Sequence, residues 1–181
     1  DGDDQAQVCV LPLNGGEAAR ITHLSTGARN PQWRPDGNAI LFESTVFPGA
    51  ADDEANRKAA AERKARKDTA RVYDTFPIRY WNAWLDDTRS HVFVQDATPG
   101  AKPRDLLAGT KLEASPGFSG LFSGLSADQQ LQPAWSPDGK SVIFVSQSTR
   151  NETMRAEVES HLYRVSVEGG EPAKLTPPGQ S

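Results

Sequence analysis

The stretch PQWRPDGNAILFES at residues 31–44 recurs as PAWSPDGKSVIFVS at residues 133–146. Each copy carries Pro-Asp-Gly between a tryptophan and a run of apolar residues. Proline presets φ at the first corner of a turn, aspartate accepts a hydrogen bond from the backbone two residues on, and glycine adopts a positive φ. Each copy therefore predicts a β-hairpin whose second strand turns alternate side chains to one face, Ile40 with Phe42 and Val142 with Phe144.

A second element also occurs twice, as VCVLPLNGGE at residues 8–17 and as LYRVSVEGGE at residues 162–171. Each copy leads into a short basic-apolar-threonine segment, at residues 20–22 and 174–176. Paired glycines supply a turn with permissive backbone, so this element predicts a second β-hairpin. Two hairpins in series make a four-stranded antiparallel unit, which is one blade of a β-propeller.

The repeats predict an all-β fold, a partial β-propeller of four-stranded antiparallel blades (about two and a half of them) with a helical insertion. We expect residues 1–181 to be a fragment of one propeller domain. Its expected parts are a half blade at 8–22, a blade at 31–109 with an insertion at 46–88, a loop at 110–130 and a blade at 131–176. The third strand of the interrupted blade is predicted at His91–Gln95. A fragment with open sheet edges is expected to self-associate.

Residues 51–70 of the insertion predict an α-helix. Its first turn is acidic and its last turns are basic, which complements the helix dipole. Glu62 and Arg66 are expected to pair at the i,i+4 spacing. Because alanines are its only apolar residues, we expect the helix to lie loosely on the surface or to pack against a part of the protein outside this sequence.

Repeated residues are expected to have structural roles, and in the hairpin these are Trp33, Asp36, Gly37, Trp135, Asp138 and Gly139. The two tryptophans occupy the same place in each copy, which favours packing between neighbouring sheets over stacking on a ligand. His91 and His161 both lie just before the third strand of their blade. A structural role is therefore expected for the two histidines as well.

The hairpin WSPDGK at residues 135–140, followed by GGExxxLT at residues 169–176, resembles the propeller repeat of two families. One is the prolyl oligopeptidase family of serine peptidases, and the other is the periplasmic TolB protein and its relatives. The insertion favours the prolyl oligopeptidase family. Its segment at residues 71–87 resembles one in dipeptidyl aminopeptidase and acylaminoacyl peptidase-like propellers, through Tyr73, Asp74, Arg79, Trp81 and Trp84. Tyr80 and Asn82 stand where the resembled segment has His and Asp.

Resemblance to these peptidases implies a Ser-Asp-His triad on a separate α/β-hydrolase domain, with the serine in a Gly-x-Ser-x-Gly elbow. This sequence lacks the elbow, since GFSGL at residues 117–121 has no glycine at the second required position. No catalytic residue is therefore expected within it. The chain would gate or position short peptide substrates for the hydrolase domain of the same parent chain.

The residues expected to contact the substrate or the adjoining domain are Asp74, Arg79, Trp81 and Trp84. A competing explanation is that Trp81 and Trp84 anchor the insertion onto its blade, because a cluster of aromatic side chains can bury a large apolar surface. A different class of function also stays open, a non-enzymatic TolB-like propeller that serves as a scaffold for protein–protein interaction. A serine elbow in a longer reading frame would decide between peptidase and scaffold.

Composition excludes several other classes of function. The net charge of −4 and the absence of a basic face argue against a nucleic-acid partner. No apolar run approaches the roughly 20 residues that span a bilayer, so no membrane partner is expected. The single cysteine, Cys9, leaves no disulfide framework. The acidic clusters lack the spacing of a calcium loop, so neither metal nor cofactor is expected. The resembled bacterial peptidases favour a periplasmic location, with the cytoplasm as the alternative.

Overall fold

The structure is a computed structural model that describes residues 5–67, 73, 76–122 and 127–177. Most of its regular structure is antiparallel β-sheet, with one α-helix, α1 (Asp53–Ala65), and a 3₁₀ turn at Arg150–Glu152. The strands are β1 (Cys9–Val10), β2 (Ala19–Arg20), β3 (Arg29–Trp33), β4 (Ala39–Val46), β5 (Arg79–Tyr80), β6 (Ala83–Trp84), β7 (Arg89–Asp96), β8 (Arg104–Asp105), β9 (Leu121–Phe122), β10 (Gln129–Gln130), β11 (Ala134–Trp135), β12 (Ser141–Ser146), β13 (His161–Ser166) and β14 (Ala173–Lys174). This content agrees with the all-β prediction.

Two four-stranded sheets have the same order of strands. The first sheet is β3-β4-β7-β8 and the second sheet is β11-β12-β13-β14, each running through its strands in chain order. Their central strands pair in the same register: Phe42 faces Phe93 with ring centroids 5.6 Å apart, and Phe144 faces Tyr163 at 5.8 Å. The β1–β2 pair forms a separate two-stranded sheet.

Two hydrophobic clusters join these units in series. One, containing Ile21, Phe42 and Phe93, lies between the β1–β2 pair and the first sheet. The other, containing Val92 and Phe144, lies between the first and second sheets. Alternation along the strands explains this arrangement, because the Phe42 face of β4 is turned to one cluster and Leu41 to the other.

The turns of the repeated hairpin have the chemistry that the sequence predicts. Asp36 Oδ1 accepts a hydrogen bond from the Asn38 amide at 3.0 Å, and Asp138 Oδ1 accepts one from the Lys140 amide at 3.0 Å. Gly37 and Gly139 have φ of 75° and 66°, which glycine adopts without steric strain. The turn residues therefore act locally, by holding two strands of each sheet together.

These turns make a testable prediction about acid pH. A hydrogen bond from the Arg34 guanidinium, and then one from the Asn38 amide, lower the pKa of Asp36 from 3.8 to about 2. Because the folded pKa is depressed, the stabilisation is complete above pH about 4 and is lost as the pH falls through about 2. An NMR titration of the Asp36 carboxyl should show this midpoint, and Arg34→Ala should raise it.

Asp138 is the matched control for that titration. The Ser136 hydroxyl, rather than an arginine, is the main cause of its lowered pKa. Its midpoint should therefore stay unchanged in the Arg34→Ala variant. An Asp36 midpoint near 4 in the unmodified chain would contradict the prediction.

The insertion helix α1 differs from its prediction in length and in attachment. It ends at Ala65, and Arg66 is already extended (ψ of 132°). Glu62 Oε1 lies 4.0 Å from Lys58 Nζ, and the predicted ion pair between Glu62 and Arg66 does not form in the described residues. Nor does the helix lie loosely on the surface. Asn56 is buried: it accepts a hydrogen bond from the Phe47 amide at 2.8 Å and donates to the Thr45 carbonyl at 3.1 Å. Polar anchors of this kind leave no hydrophobic signature in a sequence.

The tryptophans of the repeat are not equivalent in the structure. Trp135 is partly buried, packs against the cluster between the two sheets and donates its indole N–H to the Gln32 carbonyl at 3.3 Å. Trp33 is 52% exposed, so it belongs to no core cluster of the described residues, and its packing between neighbouring sheets stays a prediction. The reason is positional: the second sheet has a complete neighbour to cover, whereas the first sheet faces only the β1–β2 pair.

His91 and His161, the histidines at matching places in the two sheets, are both buried. His91 in β7 and His161 in β13 face Ser44 and Ser146 at the same register. The connection that precedes them is long in the first sheet, at residues 47–88, and short in the second, at residues 147–160. The register of the sheet is therefore independent of what the connection carries.

Candidate functional site

The aromatic segment of the insertion folds as a hairpin, which we call the insertion hairpin (β5–β6). Arg79 pairs with Trp84, and Tyr80 pairs with Ala83. Trp81 begins the two-residue turn with a φ of 49°, in the left-handed region that such hairpin turns use. The hairpin therefore places Arg79 and Trp84 side by side and puts Trp81 at its tip.

The insertion hairpin keeps its tryptophans on the surface. Trp81 is 68% exposed and Trp84 is 52% exposed, and Phe76 and Ile78 are exposed as well. Neither tryptophan is buried, so burial of these two side chains does not anchor the insertion in this structure, although the Trp84 ring lies 6.2 Å from that of Tyr73. The Tyr80 ring stacks on Phe122 with centroids 3.9 Å apart, which attaches the hairpin to the strand β9.

Phe122 in turn contacts a buried cation. The Arg150 guanidinium lies over the Phe122 ring at 4.4 Å, and burial lowers the pKa of Arg150 to about 10. Cation–π attraction is strongest where water is excluded, which suits this position. Tyr80, Phe122 and Arg150 thus connect the insertion hairpin with the loop after the second sheet's central strand β12.

A pocket of about 140 Å³ lies where the insertion meets the first sheet and the segment at residues 127–129. The side chains on its walls come from the insertion (Trp84, Leu85, Asp86, Thr88), the central strands of the first sheet (Thr45, Arg89, Ser90), strand β3 (Arg29) and the segment at 127–129. It is open to solvent and contains an indole, two guanidinium groups and two carboxylates. Such a pocket can accept one polar or aromatic side chain of a peptide.

Arg29 holds the wall of this pocket in place. Its guanidinium donates to Ser90 Oγ at 2.5 Å, to the Gln129 carbonyl at 3.0 Å and to Thr45 Oγ1 at 3.2 Å. Three rigid partners fix the planar group, so the pocket is preorganised on this side. Arg89, which also lines the pocket, donates to the backbone carbonyl of Glu113, and its guanidinium carbon lies 5.8 Å from the centroid of the Phe118 ring.

Beneath Arg29 lies Glu43, a fully buried carboxylate. Its Oε1 accepts hydrogen bonds from the Leu131 amide at 2.8 Å and from the Gln132 amide at 2.9 Å. Its Oε2 accepts one from the Asn30 side chain at 3.1 Å and lies 3.8 Å from Arg29 Nε. Glu43 therefore ties the first sheet directly to the segment that leads into the second.

Of the residues predicted for the site, Trp84 lines the pocket. Arg79 is exposed beside it on the insertion hairpin, and Trp81 is exposed at the tip, away from the pocket wall. Asp74 lies outside the described residues. The sequence did not indicate Arg29, Arg89 or Glu43, because none belongs to a motif; the one available signal was that Glu43 replaces the apolar residue (Val145) of the other copy.

Among the described residues, no group of three or more His, Cys, Asp or Glu side chains is arranged to hold a metal ion. No helix in the described ranges is both long and apolar enough to cross a bilayer.

Comparison with known proteins points to one class, the peptidases. One similar protein is the uncharacterized peptidase YuxL of Bacillus subtilis (strain 168), which is 26% identical over 149 residues. The match covers 82% of this chain but 19% of that protein, so the chain spans about a fifth of its relative's length. No family model matches the chain. The similarity suggests a peptidase-family relationship.

Proposed function

We propose that this chain is part of the β-propeller of a serine peptidase of the prolyl oligopeptidase type. In this proposal, each four-stranded sheet is a blade, and the chain gates or positions short peptides for an α/β-hydrolase domain of the same longer polypeptide. The observation that carries the proposal is the similarity to a peptidase across 82% of the chain. Support also comes from the identical strand order of the two sheets, each packed in series on its neighbour.

Within this function the predicted site residues have separate tasks. Trp84 and the fixed Arg29 guanidinium line a pocket beside the insertion, where a peptide side chain could be held. Arg79 and Trp81 are exposed on the same hairpin and are assigned to contact with the hydrolase domain. Selection by size follows from the geometry of such an enclosure, because a folded protein cannot enter a narrow opening.

The test uses a full-length protein that contains this chain. A fluorophosphonate probe should label its active serine; absence of labelling would instead favour the TolB-like scaffold. In the labelled enzyme, Trp84→Ala should raise KM for a short peptide about tenfold, equivalent to about 1.4 kcal/mol. The value of kcat should change little, since the indole contacts substrate far from the reacting bond.

Two comparisons keep this prediction specific. Trp84→Phe, which keeps an aromatic wall, should recover most of the affinity. A minimal ester substrate, too short to reach the pocket, should show no change in either variant. Equal losses for the ester and the peptide would contradict a role in binding the peptide.

A further inference from the structure

The β1–β2 pair has the same register as β13–β14, the outer half of the second sheet. Cys9 pairs with Arg20 just as Tyr163 pairs with Lys174 in β13–β14. The next hydrogen bond also corresponds, Ile21 N to Val8 O at 2.9 Å and Leu175 N to Leu162 O at 2.7 Å. In the second sheet the other edge of β13 is occupied by β12 over six residue pairs. Among the described residues, β1 pairs with β2 alone.

Side chains on this strand are uncovered where their counterparts are buried. Leu11 is 62% exposed, whereas Val165, at the corresponding position, is 1% exposed. Cys9 is exposed, whereas its counterpart Tyr163 is buried against Phe144 of β12. An exposed apolar strand edge is a site that proteins normally cover.

Trp33 gives a second, independent indication of the same vacant place. In the second sheet the Trp135 indole reaches across to the Gln32 carbonyl, which belongs to the first strand of the preceding unit. Trp33 occupies the corresponding position in the first sheet but is 52% exposed. The strand that its indole would contact is the first strand of the unit to which β1 and β2 belong, and none is found there in the described part of the chain.

We propose that the free edge of β1 and the Trp33 indole form one docking surface for a β-hairpin of the Trp-x-Pro-Asp-Gly repeat. The repeat itself defines the occupant, because β3–β4 and β11–β12 fill this place in the two complete sheets. The hairpin belongs to the rest of the longer polypeptide, of which this chain corresponds to about a fifth in its peptidase relative. This assignment of the source rests on the proposed function.

A synthetic peptide with the sequence of residues 131–147 serves as the probe for this surface. Cys9 is the single cysteine of the chain and lies on the edge strand, so its reaction with a thiol reagent reports on coverage. Only chains without bound peptide should react, so the rate should follow the fraction of uncovered chain. Saturating peptide should therefore slow the reaction about tenfold. The amide protons of Cys9 and Leu11 should become protected from exchange at the same time.

The matched control is the same peptide with Val142→Lys and Phe144→Lys, which keeps the turn but loses the apolar face. It should give no protection; equal protection by both peptides would overturn the proposal. A Trp33→Ala chain should need more of the native peptide, and an unchanged requirement would show that Trp33 and β1 are not one surface.

Two further results would also overturn the proposal. Self-association of the chain that protects Cys9 without peptide would make a second copy the occupant. If the chain is monomeric and the peptide does not change the rate at which Cys9 reacts, the hairpin does not bind at the edge of β1. Both readouts depend on the repeat alone, so a failure of fluorophosphonate labelling in the longer protein would not alter them.

Discussion

Replacing Glu43 by alanine should lower the free energy of unfolding by about 3–5 kcal/mol. The substitution leaves two buried backbone amides, those of Leu131 and Gln132, without their acceptor. It also removes the acceptor of the Asn30 side chain. Arg29 Nε has no hydrogen-bond partner, and the substitution takes away the carboxylate that lies 3.8 Å from it. Because these groups lie where the two sheets meet, their loss should loosen the interface and not only one strand.

Chemical denaturation measures this effect, with the shift in midpoint read at constant slope. Glu43→Gln keeps one carbonyl oxygen for the two amides, so it should cost about 1–3 kcal/mol. Glu62→Ala, which removes an exposed carboxylate from α1, should change the stability by less than about 0.5 kcal/mol. Similar midpoints for Glu43→Ala and Glu62→Ala would refute the role assigned to Glu43.

Asp105→Ala should lower the free energy of unfolding by about 2–4 kcal/mol, because it leaves two buried donors unpaired. Asp105 Oδ2 lies 2.6 Å from Nδ1 of the buried His91, and Oδ1 accepts a hydrogen bond from the Leu107 amide at 2.9 Å. A single carboxylate thus joins the central strand β7 to the chain that follows β8. Hydrogen exchange should show faster opening of the Leu106 and Leu107 amides.

The second sheet contains the control for this variant. There His161 Nδ1 lies 3.2 Å from the Thr176 hydroxyl, and Glu159 approaches its other nitrogen at 3.4 Å. Thr176→Ala removes one neutral hydrogen bond, so a loss of about 0.5–1.5 kcal/mol is expected. If Asp105→Ala lowered the free energy of unfolding no more than Thr176→Ala, the carboxylate partner of His91 would stabilise the fold no more than the hydroxyl partner of His161, which would contradict the prediction.

Local chemistry explains which parts of the fold could be predicted from the sequence. Pro-Asp-Gly turns and alternating apolar residues act over a few residues, and the strands they indicate are present around Gly37 and Gly139. The predicted third strand at His91–Gln95 lies within β7. The end of α1 was less predictable, since alanine and charged residues continue past Ala65 and only the extended Arg66 ends the helix.

The candidate site depends on contacts between distant segments, which have no local signal. Arg29 reaches Ser90 and Gln129, far along the chain, and Glu43 reaches Leu131. A single sequence shows these residues only as isolated charges. Trp84 was identifiable because it belonged to a recognisable aromatic segment, but that segment did not reveal that Trp81 and Trp84 would stay exposed.

The unequal connections that follow the second strands, residues 47–88 and 147–160, have a consequence for how such a protein can diversify. Closing a flexible connection three times as long costs only about 1 kcal/mol more, because the entropy of closure grows with the logarithm of length. The facing pairs Ser44–His91 and Ser146–His161 keep the same register on either side of these connections. This point on the scaffold can therefore gain or lose binding surface in evolution while the hydrophobic core is inherited unchanged.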